Sequence, residues 1–487
     1  MKGNLNGKTS PVFLITLVLW ITCFNGRAQQ NNTMFFMHSL PEANFVNPAV
    51  QGKCGVFIGL PLVSSFHMNI ANSGFTAGNV MTVYTDGTTS RNPDFNTGRL
   101  AGMNYFLTEF HSTLLAVGLQ RNDLYYTFTV TEKNNATAMY TRDLVTFILR
   151  GDPEFEGKHI VLSGMNISLN HYREYALGIS KKYSDRLTLG IKAKVLFGIF
   201  NFTTGKSSFD LYVEENTNNI VFDMNGGYSS SLPYSMRMES PGIYRFYHLY
   251  NASMMKHLMN IHNPGIALDF GFIYKYNNDI TFSGSLLDLG LIFYRSNLTN
   301  YAISGTHTYN GPFGAGMITD QYLWDVFDEL NQNMTAGVAA DPYRFMLSPR
   351  LYLGAAYKWN KRFNVNMLLY NRFLPHKLQT GATVALLTRP SDKLEASLSW
   401  SYMNRSFTNL GFGLSYGNKP LQLYFVSDNI LGFILPLSTK NVNLRLGLNL
   451  FFGCREKFNI DQCGCEWLRN TESHRLRKEE ARRKKRR

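Results

Sequence analysis

The segment Asn443-Leu-Arg-Leu-Gly-Leu-Asn-Leu-Phe-Phe452 decides the fold. Leu444, Leu446, Leu448, Leu450 and Phe452 fall on one side of an extended chain, and Asn443, Arg445, Gly447, Asn449 and Phe451 on the other. A strand of about ten residues, apolar along one whole face and aromatic at its end, suits the lipid-facing wall of a barrel. The pattern recurs upstream. Leu394, Ala396, Leu398, Trp400 and Tyr402 alternate with Lys393, Glu395, Ser397, Ser399 and Ser401. Leu187 to Ile199 and Leu351 to Trp359 alternate in the same way. A soluble sandwich would alternate too, so the choice rests on strand length, aromatic strand ends and the amino terminus.

That terminus reads as a secretory signal. Lys2 and Lys8 precede the apolar stretch Val12 to Phe24, and Gly26-Arg27-Ala28 predicts cleavage before Gln29. Trp20-Ile21-Thr22 before Cys23 makes a poor lipobox. No later run is long and apolar enough for a spanning helix, so a membrane role requires a closed barrel, in which every backbone group is paired. Charged residues are 17% of the chain, against about a quarter in soluble proteins, while Phe (36) and Tyr (27) are abundant. The expected class is all-β, a transmembrane antiparallel β-barrel of about 14–16 strands with helical loop segments. The expected divisions are a signal peptide (1–28), a periplasmic or plug segment (29–53), the barrel (54–453) and a cysteine-containing basic tail (454–487).

Short turns are predicted at Gln120–Asp123, Tyr183–Asp185, Met224–Gly227, Asn277–Asp279, Trp359–Arg362, Arg389–Asp392 and Tyr416–Pro420. Longer connections are predicted at 85–110, 132–171, 241–263, 296–346, 371–378 and 428–440. Short periplasmic turns alternating with long external loops mark outer-membrane barrels, and counting strands between them gives about sixteen, within two. Asp143–Leu149, Ala252–Ile261 and Asp320–Leu330 read as loop helices.

The net charge of +14 is concentrated in the tail, where Glu466 to Arg487 hold ten Lys/Arg and four Glu. In an exported protein such a tail suits a periplasmic contact with anionic lipid headgroups of the inner leaflet, peptidoglycan carboxylates or an acidic partner, or simple solvation, and export argues against nucleic acid. On inward-facing positions the charged candidates are Lys192, Lys194, Asp269, Lys275, Arg350, Lys358, Glu395 and Arg445. They either select solutes by charge or pair across the lumen, and pairing is the simpler reading. After loss of Cys23, Cys54, Cys454, Cys463 and Cys465 allow three full pairings. Cys54 and Cys454 fall near the same rim, one before the first strand and one after the last, and form a candidate disulfide. Cys463-Gly-Cys465 lacks a second ligand pair, so no metal site or cofactor is expected. No nucleophile elbow, His-Glu-x-x-His or P-loop occurs, and an enzyme is not expected.

Arg445, Gly447, Leu450 and Phe452 resemble the β-signal read by the bacterial barrel-assembly machinery on the last strand of its clients. Leu40-Pro-Glu-Ala-Asn44, Asn47-Pro48-Ala49, Tyr172-Arg-Glu-Tyr-Ala-Leu-Gly178, Leu189 to Gly198 and Asp279 to Gly290 resemble uncharacterised outer-membrane barrels of Bacteroidetes. These are similar to fatty-acid transporters of the FadL type and to PorV-like barrels of type IX secretion. The resemblance covers most of residues 34–453 and implies fourteen strands. It implies residence in bacterial outer-membrane lipid and passage of hydrophobic or small solutes. The alternative is a non-transporting scaffold or accessory barrel of a secretion or envelope complex.

Overall fold

Fourteen antiparallel strands pair each with the next, and the last returns to the first to close a barrel. The computed structural model describes residues 31–454 apart from 62, 84–87, 93, 206, 218, 249–257, 311–319, 361, 375–376, 392, 404–405 and 419, so the basic tail lies outside the described residues. In chain order the wall consists of β1 (Val56–Gly59 and Phe66–Asn72), β2 (Met103–Arg121), β3 (Leu124–Thr141), β4 (Asn166–Lys182) and β5 (Leu187–Thr204). It continues with β6 (Pro264–Lys275), β7 (Ile280–Tyr294), β8 (Tyr343–Met346 and Arg350–Lys358), β9 (Phe363–Leu374) and β10 (Lys377–Ser391). The last four are β11 (Leu394–Met403), β12 (Ser406–Asn418), β13 (Leu421–Ser427) and β14 (Asn441–Phe452). β14 closes on both parts of β1, with Val56 opposite Phe452 and Phe66 opposite Leu446.

Fourteen strands fall at the lower edge of the sequence count of about sixteen, within two, and one segment accounts for the difference. Asn225-Gly226-Gly227 has turn chemistry, which predicts a turn at Met224–Gly227. Yet a single strand, Ile220–Ser231, runs through it, because each of its residues has a partner on Leu298–Tyr309. That pair belongs to an extension beyond the wall, together with Ser208–Val213 and Thr335–Ala339. The long connection predicted at 132–171 is also shorter than expected. β2 to β5 run 17 to 19 residues, so strand occupies much of what reads as loop. Helices form at Arg142–Arg150 and Asp320–Asn333, while most of the predicted helix Ala252–Ile261 lies outside the described residues.

Alternation sorts the side chains as a membrane wall requires. Leu177, Ile266, Leu398 and Leu423 point outward and exposed, whereas Lys194, Asp269 and Ser399 point inward and buried. Tyr183, Tyr276, Tyr357, Trp359, Tyr416 and Phe452 form an exposed aromatic girdle at the short-turn end. Also at that end, Cys54 and Cys454 form a disulfide across the seam between β1 and β14.

Candidate functional site: a lumen in three layers

The amino-terminal segment 31–50 fills the short-turn half of the lumen. A single helical turn, Asn32–Phe35, is followed by a 3-10 turn, Pro41–Phe45, and their side chains are almost entirely buried. Met34, Phe35, Phe36, Met37 and Leu40 pack into an apolar section of the wall built by Leu287, Tyr352, Leu368, Tyr370 and Leu387. Phe35 stacks on Tyr352 at 5.5 Å between centroids. Burying each such side chain contributes roughly 1.5–3 kcal/mol.

Polar contacts hold the rest of the segment in register. Asp428 accepts from the backbone N–H groups of Asn32 and Thr33 at 3.3 and 2.7 Å. Ser180 donates to the Ala49 carbonyl at 3.1 Å, and Lys192 to the Asn44 carbonyl at 3.1 Å. The wall makes room as well: a Cβ on Gly190 would lie 2.2 Å from the Pro48 carbonyl oxygen. Glu42, the only acidic residue of the segment, is fully buried. One of its carboxylate oxygens accepts from Asn449 at 3.1 Å and the other has no hydrogen-bond partner. Burial pushes its carboxyl up to about 8.

Above the plug lies a layer of charge. Lys194 sits 2.7 Å from carboxylate oxygens of both Asp269 and Asp288. Arg350 pairs with Asp288, Lys133 with Glu174 at 2.7 Å, and Arg372 with Glu109 at 2.7 Å. Four cations thus meet four carboxylates, all nine-tenths or more buried. Above this layer, toward the long-loop end, come two apolar clusters, one around Tyr172, Leu196 and Tyr294 and the other around Tyr105, Leu107 and Leu374. The cavity between the charges and these clusters, lined by His111, Lys133, Arg350 and Arg372, is about 50 Å³. That volume holds roughly one or two waters and no solute. A concavity of about 540 Å³ lies instead on the outer wall, over Gly284 between Phe272 and Leu353.

The eight charged positions that the sequence suggests divide four ways. Lys194, Asp269 and Arg350 meet in the charged layer, through Asp288. Lys192 and Arg445 hold the plug, Arg445 donating to Asn31 Oδ1 at 3.0 Å and to Ser65 Oγ at 2.6 Å. Glu395 pairs apart from these, with Arg389 at 2.7 Å. Lys275 and Lys358 stand at the short-turn rim, Lys275 beside His38 and Val50, and the Lys358 backbone N–H on the Asp279 carbonyl. Asp288, the hub, escapes the sequence reading because it sits where the strand register shifts, with φ of 58°. Glu109, Lys133 and Arg372 escape it because 85–110, 132–171 and 371–378 read as connections, whereas Glu174 lies in the motif Tyr172–Gly178 and carries no local sign of its partners. Within β14, Gly447 has a local reason: a Cβ there would lie 1.9 Å from the Ser64 carbonyl oxygen.

Fold and lumen together define a transmembrane β-barrel closed by its own amino-terminal plug. The chain belongs to the family described as "Family of unknown function (DUF5723)", whose model matches residues 48–428. No curated protein sequence matches it. Among solved structures it is similar to a deletion mutant of the TodX monoaromatic hydrocarbon channel (11% identity, TM-score 0.42, covering 85% of this chain and 94% of that one). It is similar also to the Ralstonia pickettii toluene transporter TbuX (12% identity, TM-score 0.40, 85% and 94%). A Pseudomonas aeruginosa FadL homologue is likewise similar (12% identity, TM-score 0.37, 88% and 97%). Likeness this distant carries no argument about cargo, and the fold stands on the strand pairing described above.

Proposed function

We propose that this barrel lies in the bacterial outer membrane, short turns toward the periplasm, and passes apolar solutes through a chamber that its own plug fills at rest. The observation behind this reading is the apolar belt inside the lumen. Barrel interiors are ordinarily polar. Here Leu287, Tyr352, Leu368, Tyr370 and Leu387 face inward, and the residues covering them are Met34, Phe35, Phe36 and Met37 of a separate segment. Withdrawal of that segment would leave an apolar chamber of the kind that binds small hydrophobic ligands. The signal-like residues 1–28 and the exposed aromatic girdle support the location. β14 would present Arg445, Gly447, Leu450 and Phe452 to the assembly machinery.

The test compares the full chain with a variant lacking residues 31–50, both in liposomes and both checked for the Cys54–Cys454 bond. Plug removal should raise flux of a small aromatic hydrocarbon at least about tenfold more than flux of a sugar of similar size. Equal gains for both solutes, or no gain, would remove the apolar-chamber reading. A protein that co-purifies at fixed stoichiometry and leaves flux unchanged would point instead to a scaffold.

A further inference from the structure

Outside the lumen, at the long-loop end of β7 and β8, two arginines share one aromatic ring. Phe293 of β7 pairs in register with Arg344 of β8. Their inner neighbours Tyr294 and Tyr343 stack on each other at 5.2 Å, so Phe293 and Arg344 face outward. The Arg344 guanidinium lies 5.6 Å from the Phe293 ring centroid, and that of Arg295 lies 5.5 Å from the same centroid. Both arginines are exposed, and among the described residues no carboxylate lies within 4.0 Å of either.

Their height is informative. Phe293 stands about 33 Å above the start of β7 at Ile280, using the rise and tilt of membrane strands. A bilayer hydrocarbon core is about 30 Å thick, so the pair sits at the level of the headgroups. Directly below, on the same outer face, Met346 is 74% exposed and Ile266 65% exposed, a surface for acyl chains. Two guanidiniums held against one ring repel each other unless an anion lies between them. The ring also holds them in place, which lowers the entropy lost on binding. Phosphate oxygens match the planar donor fork of arginine.

We propose that Arg295, Phe293 and Arg344 form a clasp for the phosphate headgroup of an outer-leaflet lipid, with its acyl chains along Met346 and Ile266. The clasp rests on the membrane orientation proposed above. The probe is lipid A in its phosphorylated form, against the same lipid with its phosphates removed. Each is added to the full-length protein and read by native mass spectrometry. The protein should retain the phosphorylated lipid roughly tenfold better, and an Arg295→Gln/Arg344→Gln variant should lose that preference. Arg295→Lys/Arg344→Lys, which keeps charge without the fork, should fall between them.

Equal retention of the two lipids by the unaltered protein would overturn the clasp without any variant. Preference that survives in the double Gln variant would overturn it as well. Flotation with vesicles separates the two readings. A protein that does not co-float has lost the membrane orientation and the clasp with it. One that co-floats without phosphate preference has lost the clasp alone.

Discussion

The cations inside this barrel and the two on its outer wall are the same residue types put to opposite uses. In the lumen Lys133, Lys194, Arg350 and Arg372 each meet a carboxylate, and the layer they form is balanced four against four. On the outside Arg295 and Arg344 share a ring and, among the described residues, have no carboxylate within bonding distance. Burial explains the difference. A charge removed from water must be compensated within the protein, whereas one at a headgroup surface can take its counter-ion from the surroundings. A balanced layer has little capacity to sort solutes by sign, so the pairing reading of the lumen charges is the one this geometry favours.

If that contrast holds, the largest effect follows from Asp288. It faces Lys194 at 2.7 Å, Lys133 at 3.7 Å and also Arg350, so Asp288→Ala removes a carboxylate that three buried cations share and leaves the layer with four cations against three carboxylates. Loss of about 3–5 kcal/mol is expected, the range for breaking a buried ion pair from one side. Urea titration of the reconstituted barrel would measure it. A change under about 1 kcal/mol would mean that the layer is hydrated and that the inside and outside cations are not so different.

The plug tests the same contrast with a single acid. Glu42 is buried against Asn449 and, unlike the layer carboxylates, has no cation in contact, so burial raises its carboxyl from 4.5 to about 8. A raised folded value means that the docked plug holds the proton more tightly than the released one. Docking is therefore strongest below pH 4.5 and weakens as pH rises toward about 8. Protease accessibility of residues 31–50 should increase at least about tenfold across that interval, and Glu42→Gln should flatten the profile. A flat profile in the unaltered protein would show Glu42 ionised when docked, with Arg445 as its compensating charge.

Much of the wall was legible because a two-residue period with one apolar face fits little besides a half-buried strand. Leu444 to Phe452 and Leu394 to Tyr402 lie where their alternation places them. What was not legible depends on distant parts of the chain. Met224–Gly227 has turn residues but is held extended by partners some eighty positions away, and no local signal reports that. Met34-Phe-Phe-Met37 reads as an ordered apolar tetrapeptide, but only the inward tyrosines of β8 and β9 show that it belongs inside the lumen. Asp288 was hidden by a register shift, which moves a residue to the other face of its strand.

The smallest expected effect is the most discriminating. Arg295→Gln/Arg344→Gln should leave urea stability within about 0.5 kcal/mol, because both side chains are exposed and neither completes a buried pair. A small gain would fit even better, since the substitution relieves repulsion between two like charges on one ring. Salt separates the inner and outer cations further. Raising ionic strength should stabilise the outer pair by screening and scarcely alter the buried layer, which bulk ions do not reach. If the double variant instead cost as much as Asp288→Ala, the outer arginines would be part of the framework. The clasp would then need a protein partner rather than a lipid phosphate to explain why they stand there.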